Sequence, residues 1–271
     1  MQDEEIYFLK AKKSLGQHFL RSEKALNEMV GAIVGTNPIF EIGPGEGVLT
    51  EKLLEKGFTV TVIEIDKRSI EILERKFAKE IAAKKLFIIE RDCLEIDYAK
   101  EREGKYTLVG NIPYYITGAI FRKSFEQKVL PEQMIFLIQK EVAERIVARD
   151  KKESLLSVSI KIFSYQVRIV DIVKAGSFVP PPKVDSAIIA INNISSPFNN
   201  LAEQEIFFKI LRAAFSHKRK FLLTNLKTDL DKQVFDKYFE KINLIITKNN
   251  SLKARAEDVR IETWKEVIQI I

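Results

Sequence analysis

Between residue 39 and about residue 150, short apolar runs alternate with amphipathic stretches, and this rhythm limits the fold more than anything else in the chain. Ile39–Gly43, Phe58–Ile65, Leu86–Glu90, Tyr106–Val109 and Gln133–Ile138 read as strands. Val48–Lys56, closed by Gly57, reads as a helix, as do Lys67–Ala78, Thr117–Val129 and Glu141–Arg149. Strands separated by helices predict a mostly parallel, doubly wound α/β sheet. Leu155–Val173 and Asp185–Ile191 follow as two longer strands. After Ser195-Ser196-Pro197 the strand pattern stops and 202–271 reads as helix only. The expected division is therefore a sheet domain over 1–197 and a helical domain over 198–271.

In such a sheet, ligands gather where the strands end, so the residues at those ends carry the functional information. The first strand runs into Glu41-Ile-Gly-Pro-Gly-Glu-Gly47, three glycines in five residues, before a helix N-terminus. That arrangement lets backbone approach a ligand closely. Glu64 closes the second strand, 21 residues after Gly43, where a carboxylate can accept from both hydroxyls of a ribose. A tight turn and a solvated strand end are the plain alternatives. Together the two features point to an adenosine-containing cofactor. The spacing Gly-x-Gly-x-Gly departs from the Gly-x-Gly-x-x-Gly of dinucleotide sites and weighs against a pyrophosphate. Asp92 ends the third strand and Asn111 the fourth, so Gly43, Glu64, Asp92 and Asn111 should meet in one crevice.

The fourth strand ends in Asn111-Ile112-Pro113-Tyr114. Proline fixes φ and has no N–H, so the Ile112 carbonyl sits on a stiff, extended segment. Two acceptors result, the Asn111 side-chain oxygen and the Ile112 carbonyl, with Tyr114 beside them. An exocyclic amine on a planar base needs two acceptors for its hydrogens and an aromatic face to stack on. A strand-to-loop turn, with asparagine mimicking backbone, uses the same residue types.

Composition removes other classes. One cysteine, Cys93, excludes an intrachain disulfide framework, and two histidines are too few for a zinc cluster, so no metal is expected. The acidic start and the lack of a long apolar run predict a cytoplasmic protein with no membrane segment. The net charge is +6, and residues 198–271 hold 14 Lys or Arg against 10 Asp or Glu. Lys218-Arg219-Lys220, with Arg212 about two helical turns earlier, could present phosphates with one basic face. A solvated helix face is the plainer use of such a cluster. Lys10, Lys12 and Lys13 form a second candidate patch.

Four runs carry a specific resemblance: Glu-Ile-Gly-Pro-Gly at 41–45, Val-Ile-Glu-Ile-Asp at 62–66, Asn-Ile-Pro-Tyr at 111–114 and Phe-Val-Pro-Pro-Pro-Lys-Val-Asp-Ser at 178–186. With Ser14–Leu20 and Ala214–Lys220 they resemble the rRNA adenine N6,N6-dimethyltransferases across nearly the whole chain, most of all the bacterial small-subunit (16S) branch. The resemblance implies an S-adenosyl-L-methionine-dependent enzyme with a class I, Rossmann-like methyltransferase sheet, an antiparallel seventh strand and a small helical C-terminal domain. Its implied partner is 16S rRNA in a small ribosomal subunit precursor, where two adjacent adenosines of a hairpin loop each receive two methyl groups.

By position, the resemblance assigns cofactor contacts to His18, Leu20, Gly43, Gly45, Glu64, Asp92 and Asn111. It assigns the target amine to Asn111 and the faces of the flipped base to Tyr114 and Phe178. Some relatives have asparagine where this chain has His18, which leaves open whether that contact runs through side chain or backbone. Two other readings remain: a large-subunit rRNA methyltransferase of the macrolide-resistance type, and a non-catalytic assembly or transcription factor on the same scaffold.

Overall fold

The computed structural model describes residues 9–12, 15–148, 152–164 and 166–271. Lys13, Ser14 and Arg149 lie outside the described residues. Among those described, the strands are β1 (Phe19–Leu20), β2 (Ile39–Ile42), β3 (Val60–Glu64), β4 (Leu86–Glu90), β5 (Thr107–Asn111), β6 (Gln133–Gln139), β7 (Gln166–Val173), β8 (Phe178–Val179) and β9 (Ser186–Asn192). The helices of the sheet unit are α1 (Glu23–Gly31), α2 (Val48–Glu55), α3 (Lys67–Lys76), α4 (Ala78–Ala82), α5 (Tyr98–Glu101), α6 (Thr117–Phe125) and the start of α7 (Lys140–Val147). None of the described helices is long and apolar enough to cross a membrane.

The chain divides into two compact units. The first comprises residues up to Ala143 with Arg168–Ile194, and the second comprises Glu144–Val167 with Ser195–Ile271. The first unit holds the main sheet, ordered β4-β3-β2-β5-β6-β9-β7. β4, β3, β2, β5 and β6 pair in parallel, while β9 runs antiparallel to β6. Apolar side chains are buried on both faces, as a parallel sheet covered by helices requires: Ile39, Val60, Val62, Leu108, Ile135 and Leu137 all lie in the core. Because β4, β3, β2 and β5 are neighbours, the ends of four successive strands stand side by side. A separate two-stranded ribbon pairs β1 with β8, Leu20 opposite Phe178.

The second unit is helical: α8 (Leu155–Lys161), α9 (Leu201–Ala214), α10 (Leu222–Asp229), α11 (Lys232–Asn249) and α12 (Ile261–Ile268). Its core is aromatic, with Phe207 edge-on to Trp264 at 6.4 Å and Phe163 near Phe198 at 5.8 Å.

The expected single strand Leu155–Val173 is corrected here. Its first part is helix α8, and only Gln166–Val173 is a strand. A capping box decides the matter: Ser154 Oγ accepts from the Ser157 N–H at 3.1 Å, and Ser157 Oγ accepts from the Ser154 N–H at 2.6 Å. Val158 and Ile160 are then buried within the helical unit. That unit consequently takes up 144–167, which the expected boundary at 197 assigned to the sheet.

Candidate active site

The strand ends open into one cleft lined by Gly43, Gly45, Glu64, Asp92, Asn111 and Tyr114, with Ile112, Pro113, His18 and Leu20 also on its walls. The glycine loop serves two separate ends. At Gly43, φ is +64° and nothing stands within 4 Å of an added Cβ, so the backbone there faces open space. At Gly47 a Cβ would lie 2.6 Å from Phe77 and 2.7 Å from Leu73, so that glycine lets α3 pack against the loop.

Glu64 is held by backbone. Its Oε1 accepts from the N–H groups of Ile65 at 2.8 Å and Asp66 at 2.9 Å, and Oε2 from Gly45 at 3.3 Å. Burial raises its pKa, against the lowering effect of the three donors. Oε2 has only one donor and keeps acceptor capacity for a hydroxyl. Asp92 is half-buried and its Oδ1 caps the Leu94 N–H at 2.9 Å. Cys93 beside it also lines the cleft, but burial, followed by the Asp92 charge, pushes its thiol up to about 12. It is therefore no thiolate nucleophile at neutral pH.

Asn111 has a fixed amide orientation. Its Nδ2 donates to the His18 carbonyl at 2.8 Å, which no amide oxygen could do. Oδ1 is thereby left as an acceptor without a partner among the described residues. Ile112 is buried and its N–H donates to the Leu137 carbonyl at 3.1 Å, locking the backbone just before Pro113. Tyr114 is half-buried, its hydroxyl is 2.7 Å from Ser186 Oγ, and its ring stacks with that of His18, 5.9 Å between centroids and 21° between planes. These partners of Tyr114, His18 and Ser186, come from two of the resembling runs.

Phe178, which the resemblance assigns to one face of the base, is a buried residue of the ribbon beside the cleft. It is 2% exposed, packed in the core with Leu20, Leu26 and Met29, and is not among the residues lining the cleft. Its pairing opposite Leu20 turns an apolar ring toward the apolar interior, where burial is most favourable.

Sequence reasoning missed the grip on the N-terminal segment. Asp66, 3% exposed, takes Lys12 Nζ at 3.1 Å, Gln17 Nε2 at 3.2 Å and the Arg68 guanidinium at 2.5 Å. Arg68, followed by Lys12 and Gln17, holds the Asp66 carboxyl far below the usual range. Glu46 accepts from the Leu9 N–H at 2.8 Å and pairs with Arg21. Lys12 is thus an ion-pair partner of Asp66 and not part of a free basic patch. Glu41, buried behind the loop, takes a hydrogen bond from Thr50 at 2.6 Å, and burial raises its pKa to about 8, with the Glu64 charge adding to the rise. The short polar motifs of residues 9–21 have no periodicity, so only their partners on the sheet reveal them.

In the helical unit, Arg212 projects from α9, and Lys218, Arg219 and Lys220 occupy the turn before α10, all exposed. None of the four makes an ion pair among the described residues. The turn is braced from below: Asp229 binds Ser216 Oγ at 2.6 Å and His217 Nε2 at 3.2 Å, while Asn225 donates to the Ala214 carbonyl at 2.8 Å and the His217 carbonyl at 3.1 Å.

A mostly parallel seven-stranded sheet with its last strand antiparallel, a glycine loop after its first strand and acceptors at the next three strand ends define a class I methyltransferase. The chain belongs to the ribosomal RNA adenine dimethylase family, matched over residues 8–270. It is 38% identical over 270 residues to a ribosomal RNA small subunit methyltransferase A of Dehalococcoides mccartyi, covering 97% of this chain and 89% of the relative. Among solved structures it resembles a dimethyladenosine transferase from Plasmodium falciparum, with a TM-score of 0.74, 26% identity, and coverage of 92% of this chain and 96% of that one. The 23S rRNA methyltransferase ErmE shares the fold, with a TM-score of 0.71 at 24% identity, covering 93% of this chain and 98% of that one.

Proposed function

We propose that this cleft methylates N6 of two adjacent adenosines in a hairpin loop near the 3′ end of 16S rRNA. The methyl donor is S-adenosyl-L-methionine and the product N6,N6-dimethyladenosine, made on a small ribosomal subunit precursor in the cytoplasm by a monomer. The observation that carries this reading is the pinned amide of Asn111, whose Oδ1 is left as an acceptor in a cleft that Ile112 and Tyr114 also line. The site fits the donor: Gly43 opens the backbone to it, Glu64 Oε2 can accept from its ribose, and Asp92 from its adenine amine. Gly45, Leu20 and His18 border the same space. When bound, the donor supplies an electrophilic methyl group on a sulfonium.

An adenine amine is a weak nucleophile because its lone pair is delocalised into the ring. Asn111 Oδ1 and the Ile112 carbonyl, accepting both N–H hydrogens, favour a pyramidal nitrogen and aim its lone pair. Tyr114 holds the flipped base by stacking, and Pro113 keeps the two acceptors rigid. No strong base is required, because the methylated amine is acidic enough to release its proton to water. After one transfer a single hydrogen remains, so only one acceptor can be satisfied and stacking carries more of the positioning. Arg212, Lys218, Arg219 and Lys220 supply phosphate contacts, presented by the braced turn.

The small-subunit substrate is favoured by the name of a relative 38% identical over nearly the full chain, whereas the likeness to the 23S enzyme speaks for the fold alone. The test is transfer of labelled methyl groups to bacterial small and large subunits lacking these modifications, followed by mass spectrometry of the RNA. Dimethyladenosine in the small-subunit RNA is expected. Label confined to the large subunit, or absent from both, would overturn the reading.

A further inference from the structure

The Asn-Ile-Pro-Tyr segment runs into a single turn of 3₁₀ helix, Tyr114–Ile116, whose two tyrosines have opposite surroundings. The Ile116 N–H donates to the Pro113 carbonyl at 3.2 Å and Thr117 Oγ1 to the Tyr114 carbonyl at 3.1 Å, which holds the turn in place. A turn of this kind has about three residues per turn, so neighbouring side chains point roughly 120° apart. Tyr114 goes into the cleft wall and bonds Ser186, whereas Tyr115 is turned outward, 66% exposed, while still bordering the cleft. The other aromatic rings on that wall, His18, Phe19 and Tyr114, are buried or half-buried. The Tyr115 hydroxyl has no hydrogen-bond partner among the described residues. One side of the ring is seated: at Gly16, where φ is +60°, a Cβ would stand 3.2 Å from Cε1 and 3.3 Å from Cδ1. A single exposed apolar side chain needs no explanation by itself. This one is distinguished by its place, directly after Tyr114 on a pinned turn at the rim of the cleft.

We propose that Tyr115 is a stacking platform for the base of the nucleotide adjacent to the target adenosine. This rests on the reading of Tyr114 as the residue that holds the target base. Drawing one base out of a loop breaks its stacking and leaves its neighbour with a bare face in water. The neighbour is covalently tied to the base in the cleft, and consecutive tyrosines have Cα atoms only about 3.8 Å apart. An exposed ring at the rim therefore offers the face that the flip removed. Stacking on an aromatic ring accepts any base, so Tyr115 senses that an unpaired neighbour is present and not which base it is. The substrate it favours is a single-stranded loop with adjacent unpaired bases, as opposed to an isolated adenosine. Where two adjacent adenosines are both targets, each is in turn the neighbour of the other. The platform holds the neighbour equally before and during methyl transfer, so its contribution falls on KM and not on kcat.

The experiment compares wild type with Tyr115→Ala, Tyr115→Leu and Tyr115→Phe on unmodified small subunits. It reads kcat and KM for the particle, calorimetric affinity for S-adenosylhomocysteine, and melting temperature. Tyr115→Ala should raise KM about tenfold and leave kcat within about twofold. Tyr115→Phe should match wild type, because the hydroxyl has no partner and a stack needs only the ring. Tyr115→Leu, apolar but without a ring face, should stay as impaired as alanine. Cofactor affinity and melting temperature should be unchanged in all three. The proposal falls if leucine serves as well as phenylalanine, since the rim would then need only an apolar side chain. It falls equally if the rise in KM comes with lost cofactor affinity or a lower melting temperature. Wild-type transfer to adenosine N6 tests the underlying reading: its absence overturns both, whereas wild-type transfer with an unchanged KM in Tyr115→Ala overturns the platform alone.

Discussion

The cleft has two rims built by different forces. On the sheet side, the groups that face a ligand are fixed by main chain: Glu64 by three backbone N–H groups, and Ile112 by the carbonyl of Leu137. On the N-terminal side, the described residues 9–12 and 15–21 are gripped by side chains: Lys12 and Gln17 on Asp66, Arg21 on Glu46, and Arg68 on the Lys10 carbonyl at 3.0 Å. Glu64 and Asp66 show the contrast within two residues. Burial raises the pKa of the first, whose remaining acceptor is free for a hydroxyl, while hydrogen bonds led by that from Arg68 lower the pKa of the second, whose oxygens are taken by the segment. The sheet rim is thus shaped chiefly by main chain. The N-terminal rim can be loosened by one side-chain change.

Phe178→Ala is expected to have the largest effect and sharpens the contrast at the ribbon where the N-terminal segment meets β8. A buried phenylalanine removed from a core costs about 3–5 kcal/mol, so thermal melting should fall sharply and activity with it. Monomethyladenosine accumulating at an unchanged melting temperature would instead return Phe178 to the base pocket. Next, Glu64→Ala should weaken binding of S-adenosylhomocysteine by roughly 1.5–3 kcal/mol through loss of a charge-assisted hydrogen bond. Calorimetry showing unchanged affinity would remove Glu64 from the site.

Glu41→Gln probes the sheet rim through pH. The folded carboxyl keeps its proton up to about pH 8, while an unfolded glutamate loses it near pH 4.5. The folded state thus binds the extra proton across that window, and stability falls as pH rises through it. Glutamine abolishes this fall, so the variant should gain melting temperature over wild type above pH 8 and gain little at pH 5. An equal difference at both pH values would mean that Glu41 does not titrate there.

The smallest effect belongs to Asp66→Asn. Its folded pKa is lowered, so its contribution is present above the unfolded value and is lost only as pH falls below it. Lys12 and Arg68 are partly exposed, and such pairs contribute under about 1 kcal/mol. Global stability should barely change at pH 7, whereas amide exchange in residues 9–20 should rise and cofactor affinity fall a few-fold. Unaltered exchange would show that the segment is held without Asp66.

What could be read from the chain divides along the same line. Gly43, Glu64, Asp92 and Asn111 were legible because each follows a strand whose apolar run marks its own end, and parallel topology brings such ends together. The N-terminal segment was illegible as a rim because its grip depends on Asp66 and Glu46, which are distant in sequence and unmarked by pattern. Leu155–Lys161 misled because Val158, Ile160 and the interleaved serines mimic strand alternation, while the Ser154–Ser157 capping box is a weak signal beside it. The resemblance fixes the place of Phe178 in a motif, but its burial in the core was not legible from that motif.

The central claim is that Asn111 acts on the reacting amine through an amide oriented by His18, and Asn111→Ala tests it most directly. Single-turnover methyl transfer to unmodified small subunits, measured beside calorimetric affinity for S-adenosylhomocysteine, separates chemistry from cofactor binding. Transfer should slow by about 10²–10³-fold, the scale of losing one preorganised hydrogen-bonding group at a reacting centre, with affinity nearly intact. Preserved transfer with weakened affinity would contradict the account and make Asn111 a cofactor ligand alone.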